Sequence, residues 1–140
     1  MNRQKPLVLV ADDDEDILEL IRLRLDRCGY ELVVAHTGAE ALAIASRRHP
    51  DLALLDVNMP GMDGYAVIAE LRSDPATSDI PVILLTARAQ TADVSHGFAL
   101  GADDYITKPF SPQELEGRVA SQLRQADLPT MQLRPAAAEG

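Results

Sequence analysis

Five short apolar runs recur along the chain, and each is followed by a longer segment with helical periodicity. Continuous apolar runs of this length are typical of parallel strands that are covered on both faces of a sheet. The strands are expected at residues 7–11, 32–35, 52–55, 82–85 and, more weakly, 105–107. The alternation therefore predicts an α/β domain, a doubly wound (βα)5 sheet with right-handed crossovers and helices on both faces.

The polarity of the runs predicts the order of the strands. The first, third and fourth runs are apolar throughout, whereas the second carries Glu31 and the fifth is short and more polar. Because a central strand of such a sheet is buried on both faces, the two polar strands are expected at the edges. This gives a parallel five-stranded sheet of order 2-1-3-4-5, a flavodoxin-like arrangement.

The segments between the strands carry helix signals. Ile17, Ile21, Leu25 and Cys28 are spaced four and three residues apart, which predicts one buried face of the first helix. Further helices are expected from a capping box at Thr37 to about His49, over 64–72 and 91–100, and after a capping box at Ser111, with Leu115, Val119 and Leu123 on one face. The domain is placed at residues 1–125, with a flexible linker or tail at 126–140.

Charge and cysteine content exclude several functions. The chain has 22 acidic and 13 basic residues and a net charge of −9, which argues against non-specific binding to nucleic acid or anionic membranes. Cys28 is the only cysteine, so neither an internal disulfide nor a thiolate metal cluster can form. A reduced, cytoplasmic setting fits, and the first apolar run is too short for a signal peptide or a membrane span.

Polar residues lie at the ends of four of the predicted strands. Asp12 and Asp13 follow the first strand, Asp56 ends the third, Thr86 ends the fourth and Lys108 follows the fifth. Because the carboxyl ends of parallel strands meet at one edge of the sheet, we expect these side chains to share one pocket. Each residue alone is compatible with a turn, a strand end or a solvated surface, so the interpretation depends on their joint placement.

Such a pocket suits phosphoryl chemistry. Three nearby carboxylates repel one another unless a cation offsets them, and their hard oxygen atoms suit Mg²⁺, which often shares its site with a phosphate. Thr86 and Lys108 would contact phosphoryl oxygens as a hydroxyl donor and a point charge. Asp56 is best placed to attack phosphorus, because a carboxylate can act as a covalent phosphoryl acceptor. Asp14, by contrast, is predicted to cap the first helix.

Four sequence blocks carry a resemblance to a known family. They are LVADDD at 9–14, LLDVNMPGMDG at 54–64, LLTA at 84–87 and GADDYITKPF at 101–110. With these blocks in this order and spacing, residues 6–125 of the chain resemble the response-regulator receiver domain of two-component signal transduction.

By this resemblance the chain looks like a phosphorylation-dependent signalling switch, not an enzyme with a separate substrate. Asp56 looks like the residue that takes a phosphoryl group from the phosphohistidine of a histidine kinase or phosphotransfer protein, as in a phosphorelay. The domain would promote its own phosphorylation and dephosphorylation. Asp12 and Asp13 look like the acid pair at Mg²⁺, with Asp13, Asp56 and the backbone carbonyl of Asn58 as direct ligands.

The resemblance also implies how the signal spreads. Thr86 and Lys108 would bind phosphoryl oxygens, and Tyr105 would turn inward when Thr86 is drawn to the phosphate. The fourth helix, fifth strand and fifth helix would then present an altered surface to an output partner or domain. The Lys108–Pro109 bond is expected to be cis, and Asn58 and Arg88 are expected to tune the phosphoryl lifetime.

Other interpretations stay open at this point. Asp103, Asp104, Glu114 and Arg118 match charged positions of a receiver dimer face, so a homodimer through the fourth helix, fifth strand and fifth helix is a further hypothesis. A binding module that docks without phosphorylation is one alternative. A phosphatase of the haloacid-dehalogenase type is another, although the chain is short for a cap. A flavin site is disfavoured, because the first strand leads into carboxylates instead of a phosphate-binding loop.

Overall fold

The computed structural model describes residues 5–87 and 91–127. The elements are β1 (Leu7–Ala11), α1 (Glu15–Arg27), β2 (Glu31–Ala35), α2 (Gly38–Arg48), β3 (Leu52–Asp56), α3 (Gly64–Ser73), β4 (Val82–Thr86), α4 (Thr91–Leu100), β5 (Asp104–Thr107) and α5 (Pro112–Asp127). All strand pairs are parallel and the order is β2-β1-β3-β4-β5. The predicted fold class and strand order are confirmed.

The sheet separates two hydrophobic clusters, because successive strand residues point to opposite faces. Val8 and Leu54 belong to the cluster that packs under α1 and α5. Leu9 and Leu55 belong to the cluster that packs under α2 and α3. Strands β1, β3 and β4 are buried along their whole length, whereas β2 begins at an exposed residue. The edge positions predicted for β2 and β5 follow from this difference in burial.

The helices begin where the sequence supplies side-chain caps. Thr37 Oγ1 accepts a hydrogen bond from the backbone N–H of Glu40 at 3.1 Å, and Glu40 Oε1 accepts one from the N–H of His36 at 2.8 Å. The Ser111 hydroxyl oxygen accepts from the N–H of Glu114 at 3.0 Å. These pairs satisfy backbone donors that have no partner within the helix. The hydroxyl half of each predicted capping box is therefore present, while Glu40 accepts from the N–H of His36 instead of from that of Thr37.

The predicted buried face of α1 is wrong in part. Leu18, Ile21 and Leu25 are the buried residues, while Ile17 is half-buried and Cys28 is exposed. The helix ends at Arg27, and Cys28 is its C-cap residue, so the helical spacing no longer applies there. The buried stripe thus begins one residue later than the four-residue spacing from Ile17 indicates.

Helix α5 continues to Asp127, past the domain boundary expected at residue 125. Residues 128–140 of the expected linker or tail lie outside the described residues. The division of the chain at residue 125 stays a prediction. Among the helices within the described ranges, none is both long and apolar enough to cross a membrane.

Candidate functional site

The carboxyl edge of the sheet collects the polar residues that the sequence singled out. Asp12 follows β1, Asp56 and Thr86 are the last residues of β3 and β4, and Lys108 follows β5. The parallel register pairs Asp56 with Leu85 and Thr86 with Thr107, so these strand ends lie side by side. The predicted juxtaposition of these residues is present in the structure.

Three carboxylates form a compact group at this edge. One oxygen from each of Asp12, Asp13 and Asp56 lies within 4.8 Å of the others. The side chains of Asp12 and Asp56 are 0% and 6% exposed, and Asp13 is exposed. Lys108 Nζ donates to Asp12 Oδ2 at 2.8 Å and to Asp56 Oδ1 at 3.1 Å. Three negative charges and one positive charge leave a formal charge of −2 in the group.

The loop after β1 orients the first carboxylate and begins α1. The N–H of Asp14 donates to Asp12 Oδ1 at 3.0 Å, so one oxygen of Asp12 is engaged by the backbone while the other faces Lys108. The Asp14 side chain accepts from the N–H groups of Asp16 and Ile17 at 2.9 and 3.4 Å. Asp14 is therefore the N-cap of α1, as the sequence predicts, and not a member of the acidic group.

The turn after β3 brings the start of α3 against the backbone of Asp56. Asp63 caps α3 by accepting from the N–H of Ala66 at 2.9 Å, and the N–H of Gly64 donates to the carbonyl of Val57 at 3.0 Å. A Cβ atom on Gly64 would lie 2.6 Å from the carbonyl oxygen of Asp56. The absence of a side chain thus permits this close approach of two backbone segments. Gly64 therefore has a packing reason at this turn.

Burial and charge perturb both ionisable partners at the edge. Burial raises the pKa of the Asp56 carboxyl group, and the neighbouring charge of Asp12 raises it further. Hydrogen bonds from Lys108 and from the backbone of Asn58 oppose this rise. Burial lowers the pKa of Lys108, but its hydrogen bonds and charge interactions with Asp12 and Asp56 outweigh burial and raise the pKa overall. A protonated lysine is therefore held between two buried carboxylates.

The acidic group has the donors that a hard divalent cation requires. It offers three carboxylate oxygen atoms within 4.8 Å of one another, and exposed Asp13 leaves the group open on one side. A single ammonium group cannot offset the charge of three carboxylates, so the residual charge favours a second cation. Oxygen donors and an open side suit an ion that retains water ligands. The residues present therefore fit a metal ion of this class.

Thr86 and Tyr105 lie on the adjacent strands β4 and β5. Thr86 is 2% exposed, and its carbonyl accepts from the N–H of Lys108 at 2.7 Å. Tyr105 is 8% exposed, and its hydroxyl group donates to the carbonyl of Asp93 in α4 at 2.6 Å. The sequence predicts that Tyr105 turns inward on phosphorylation; here its side chain is already buried. The Lys108–Pro109 bond is cis, as predicted.

The charged residues of the predicted dimer face pair within the chain. Arg118 Nη1 donates to both carboxylate oxygens of Asp104, at 2.9 and 3.0 Å, and Arg118 Nε donates to Glu114 Oε2 at 3.2 Å. Asp103 accepts from Arg72 at 3.0 Å and from the N–H of Val82 at 2.9 Å. Dimerisation through these residues stays a prediction, and it would have to share or replace these internal pairs.

Asn58 and Arg88 are the remaining residues of the predicted site. Asn58 is exposed, and its backbone donates to Asp56, but the predicted ligand role of its carbonyl stays a prediction. Arg88, predicted to tune the phosphoryl lifetime, lies outside the described residues. Sequence reasoning also missed Tyr65 and Gly97, which contact Tyr105 from α3 and α4. No local pattern in the sequence marks these two residues, because the contacts join separate elements.

Comparison with known proteins gives a consistent result. A family model for the response regulator receiver domain matches residues 8–120. A curated relative from Cyanophora paradoxa, "Probable transcriptional regulator ycf27", is 50% identical over 131 residues, covering 94% of this chain and 54% of that protein. Another, the "DNA-binding dual master transcriptional regulator RpaA" of Synechocystis, is 43% identical over 122 residues, 87% of this chain and 51% of that protein. The chain thus spans about half the length of the curated relatives it matches.

Solved structures share the fold over most of the chain. A putative response regulator from Chloroflexus aurantiacus has a TM-score of 0.83 and 39% identity, covering 86% of this chain and 99% of that one. The receiver domain of a sensor histidine kinase from Pseudomonas aeruginosa, described with a magnesium ion coordinated in its active site cleft, has a TM-score of 0.80 and 28% identity. That likeness covers 86% of this chain and 98% of the other.

Proposed function

Because this chain belongs to the response regulator receiver domain family, we propose that Asp56 is its phosphoryl acceptor and that Mg²⁺ is its metal ion. The chain is a signalling domain of two-component response regulators. The observation that supports the proposal best is Asp56 at the end of a central strand, 3.1 Å from Lys108 Nζ and grouped with Asp12 and Asp13.

The proposed transfer is a displacement at phosphorus. A carboxylate oxygen of Asp56 forms an O–P bond while the N–P bond of a donor phosphohistidine breaks. The bonding electrons return to the imidazole nitrogen, which takes up a proton as the neutral histidine is released. The signal ends by hydrolysis, in which water attacks the phosphorus of the aspartyl phosphate, releases inorganic phosphate and regenerates the carboxylate. Both steps depend mainly on positioning and charge neutralisation, which the residues around Asp56 supply.

Each residue of the group has a proposed part in this transfer. Asp13, Asp56 and the carbonyl of Asn58 would hold Mg²⁺, and Asp12 would position it from its buried place beside Lys108. When bound, the metal ion offsets the charge of the phosphoryl oxygens and of the carboxylates. Lys108 Nζ, now 2.8 Å from Asp12 and 3.1 Å from Asp56, is within reach of a phosphoryl oxygen on Asp56. Thr86 would donate its hydroxyl hydrogen to another.

The phosphoryl group then acts as a local electrostatic signal. It adds about −1.5 to −2 charges near neutral pH beside Lys108 and Thr86. We propose that this charge changes the surface made of α4, β5 and α5. Tyr105 belongs to β5, and Lys108 follows this strand directly. The partners would be a histidine kinase or phosphotransfer protein as donor, and an output partner or domain as target. The regulatory relatives, of whose length this chain covers about half, support a DNA-binding output domain in the whole protein.

Phosphoryl transfer can be tested with a small-molecule donor. We expect incubation with acetyl phosphate and Mg²⁺ to add the mass of one phosphoryl group to the intact protein, measured by mass spectrometry. Omission of Mg²⁺ with added EDTA should reduce the labelled fraction by about a hundredfold or more, since the charge of the acidic group is then not offset. A chain that gains no phosphoryl mass under the complete conditions would contradict the proposed function.

Metal binding predicts a change in stability that needs no phosphoryl donor. Mg²⁺ at about a hundred times its Kd should raise the free energy of unfolding by about 2.7 kcal/mol, because it binds the folded chain only. Asp13→Asn removes an exposed member of the acidic group, and the same Mg²⁺ concentration should then stabilise the protein by less than about 1 kcal/mol. The measurement is urea unfolding with and without Mg²⁺.

Asp16→Asn is the matched control for this experiment. Asp16 is an exposed first-turn residue of α1 that does not belong to the acidic group. Its substitution therefore removes the same charge as Asp13→Asn but no oxygen ligand of the acidic group. Its variant should keep the full response to Mg²⁺. An equal loss of the response in both variants would show that Mg²⁺ acts on net charge and not at this site.

A further inference from the structure

Tyr105 is seated against α4 through its hydroxyl group. The hydroxyl donates to the carbonyl of Asp93, in the first turn of α4, at 2.6 Å. The side chain is 8% exposed, and its ring lies 5.5 Å from that of Phe98 between centroids. This hydrogen bond joins β5 to the amino end of α4.

A second tyrosine reaches the same point from α3. The Tyr65 hydroxyl lies 3.4 Å from the carbonyl of Asp93 and 3.5 Å from the hydroxyl of Tyr105. The ring of His96 packs edge-on against the Tyr65 ring, at 4.7 Å between centroids. Burial raises the pKa of Tyr105, and the hydrogen bond with Tyr65 raises it further, so the Tyr105 phenol stays protonated and can donate to the carbonyl. Three elements, α3, α4 and β5, therefore meet at one carbonyl oxygen.

The Tyr105 hydroxyl group thus lies in a small site, called the seat here, that is formed by Tyr65, the Asp93 carbonyl and Gly97. Gly97 leaves the space for the hydroxyl group. A Cβ atom at Gly97 would collide with the Tyr105 hydroxyl and would lie 2.9 Å from Leu84 Cδ1. Gly97 is buried within α4, where glycine is a poor helix former, so its position has a packing reason. By contrast, a Cβ atom at Gly117 in α5 would meet no atom within 4 Å. The two helical glycines thus differ in whether a side chain fits.

We propose that Tyr65 and Gly97 are positioning residues that hold Tyr105 in its buried place against α4. Gly97 supplies the space for the hydroxyl group, and Tyr65 supplies a second phenol at the Asp93 carbonyl. The seat determines how strongly the Tyr105 side chain prefers its buried conformation over an exposed one before phosphorylation. Its connection to phosphorylation rests on the proposed function, through Thr107 and Lys108, which follow Tyr105 in the chain and adjoin Thr86.

The three tyrosines of the chain make the seat directly observable. Incorporation of 3-fluorotyrosine gives one ¹⁹F NMR resonance for each tyrosine, assigned with Tyr30→Phe, Tyr65→Phe and Tyr105→Phe. We expect Gly97→Ala to move the Tyr105 resonance to the position of a solvent-exposed fluorotyrosine and to increase its shift between H₂O and D₂O. Tyr65→Phe, which removes one oxygen atom, should move or broaden the same resonance.

Two control variants separate the seat from general effects on folding. Tyr30 belongs to the cluster under α1 and α5, on the other side of the sheet, so Tyr30→Phe should leave the Tyr105 resonance unchanged. Gly117→Ala should leave it unchanged and raise the Tm by roughly 2–6 °C, since alanine favours the helix. A Tyr105 resonance unmoved in both Gly97→Ala and Tyr65→Phe would overturn the proposal. If Gly97→Ala does not fold, Tyr65→Phe alone decides.

A separate measurement tests the connection to phosphorylation. Beryllofluoride with Mg²⁺ is a phosphoryl mimic, and its affinity can be followed by the same ¹⁹F resonances. If the buried place of Tyr105 is coupled to the phosphoryl site, Gly97→Ala should bind the mimic about fivefold or more weakly than the wild-type chain. Equal affinity would overturn the connection. Failure of the wild-type chain to accept a phosphoryl group would instead contradict the proposed function, while the ¹⁹F shifts without ligand would still decide whether the seat exists.

Discussion

The Asp56→Asn chain is expected to gain no phosphoryl group from acetyl phosphate, while it stays folded and becomes more stable in the absence of Mg²⁺. Asparagine has nearly the shape of aspartate, but its amide is not a nucleophile for phosphorus at neutral pH. Labelling should fall at least about a thousandfold, to background, because the substitution removes the carboxylate oxygen proposed to attack phosphorus. Intact-protein mass spectrometry measures this loss.

The gain in stability follows from the direction of the Asp56 pKa. Burial and the charge of Asp12 raise this pKa in the folded chain, so the folded state disfavours the carboxylate relative to the unfolded state. Above the folded-state pKa the charge destabilises the protein, and asparagine removes that cost. As the pH falls through the Asp56 pKa of the folded state and then through the ordinary pKa of about 4, the wild-type carboxyl group protonates. The difference in the free energy of unfolding between Asp56→Asn and the wild-type chain should then disappear. Urea unfolding in EDTA at several pH values measures it.

Asp16→Asn is again the control, because it removes an exposed carboxylate outside the acidic group. It should label as fast as the wild-type chain. Undiminished labelling of Asp56→Asn would remove Asp56 as the acceptor. An Asp56→Asn chain that is less stable than wild type at neutral pH would contradict the electrostatic account of the site.

Lys108→Met is expected to destabilise the folded chain by about 3 kcal/mol in EDTA, because it leaves two buried carboxylates without their cation. Lys108 Nζ is the donor to both Asp12 and Asp56, whose side chains are 0% and 6% exposed. Methionine keeps the length and apolar stem of the side chain, so the change isolates the ammonium group. Urea unfolding at neutral pH gives the free energy of unfolding.

Two further measurements identify the cause of this loss. Mg²⁺ should recover part of the lost free energy of unfolding, since the metal ion offsets the charge of the same carboxylates. The double variant Lys108→Met with Asp56→Asn should also be more stable than Lys108→Met alone. Lys5→Met is the matched control, because Lys5 is the other lysine of the chain and is exposed. A Lys108→Met chain as stable as Lys5→Met would show that the acidic group does not depend on Lys108.

The fold and most of the acidic site could be predicted because they depend on short-range pattern and simple geometry. Continuous apolar runs mark buried parallel strands, and the polarity of Glu31 and of the fifth run marks the edges. Once the strands are parallel, the residues at their carboxyl ends must share one edge. Asp12, Asp56 and Lys108 therefore come together from positions far apart in the chain.

The remaining features depend on contacts that no local pattern encodes. Cys28 has helical spacing with Leu25, but the backbone has already left α1 at that residue. The seat of Tyr105 is made by Tyr65 and Gly97, whose separation in the sequence carries no periodic signal. Arg72 likewise donates to the carbonyls of Gly101, Ser78 and Ile80, which tie two loops to the end of α3. Such contacts follow from tertiary packing, not from propensity or spacing.

Reductive trapping of the phosphorylated chain tests the central claim most directly. Borohydride converts an aspartyl phosphate to homoserine, and peptide mass spectrometry then locates the changed residue. After treatment with acetyl phosphate and Mg²⁺, we expect the conversion at Asp56 alone, with none in a sample kept in EDTA. Conversion at Asp12 or Asp13, or no conversion at any carboxylate of a chain that had gained phosphoryl mass, would contradict the assignment of Asp56 as the acceptor.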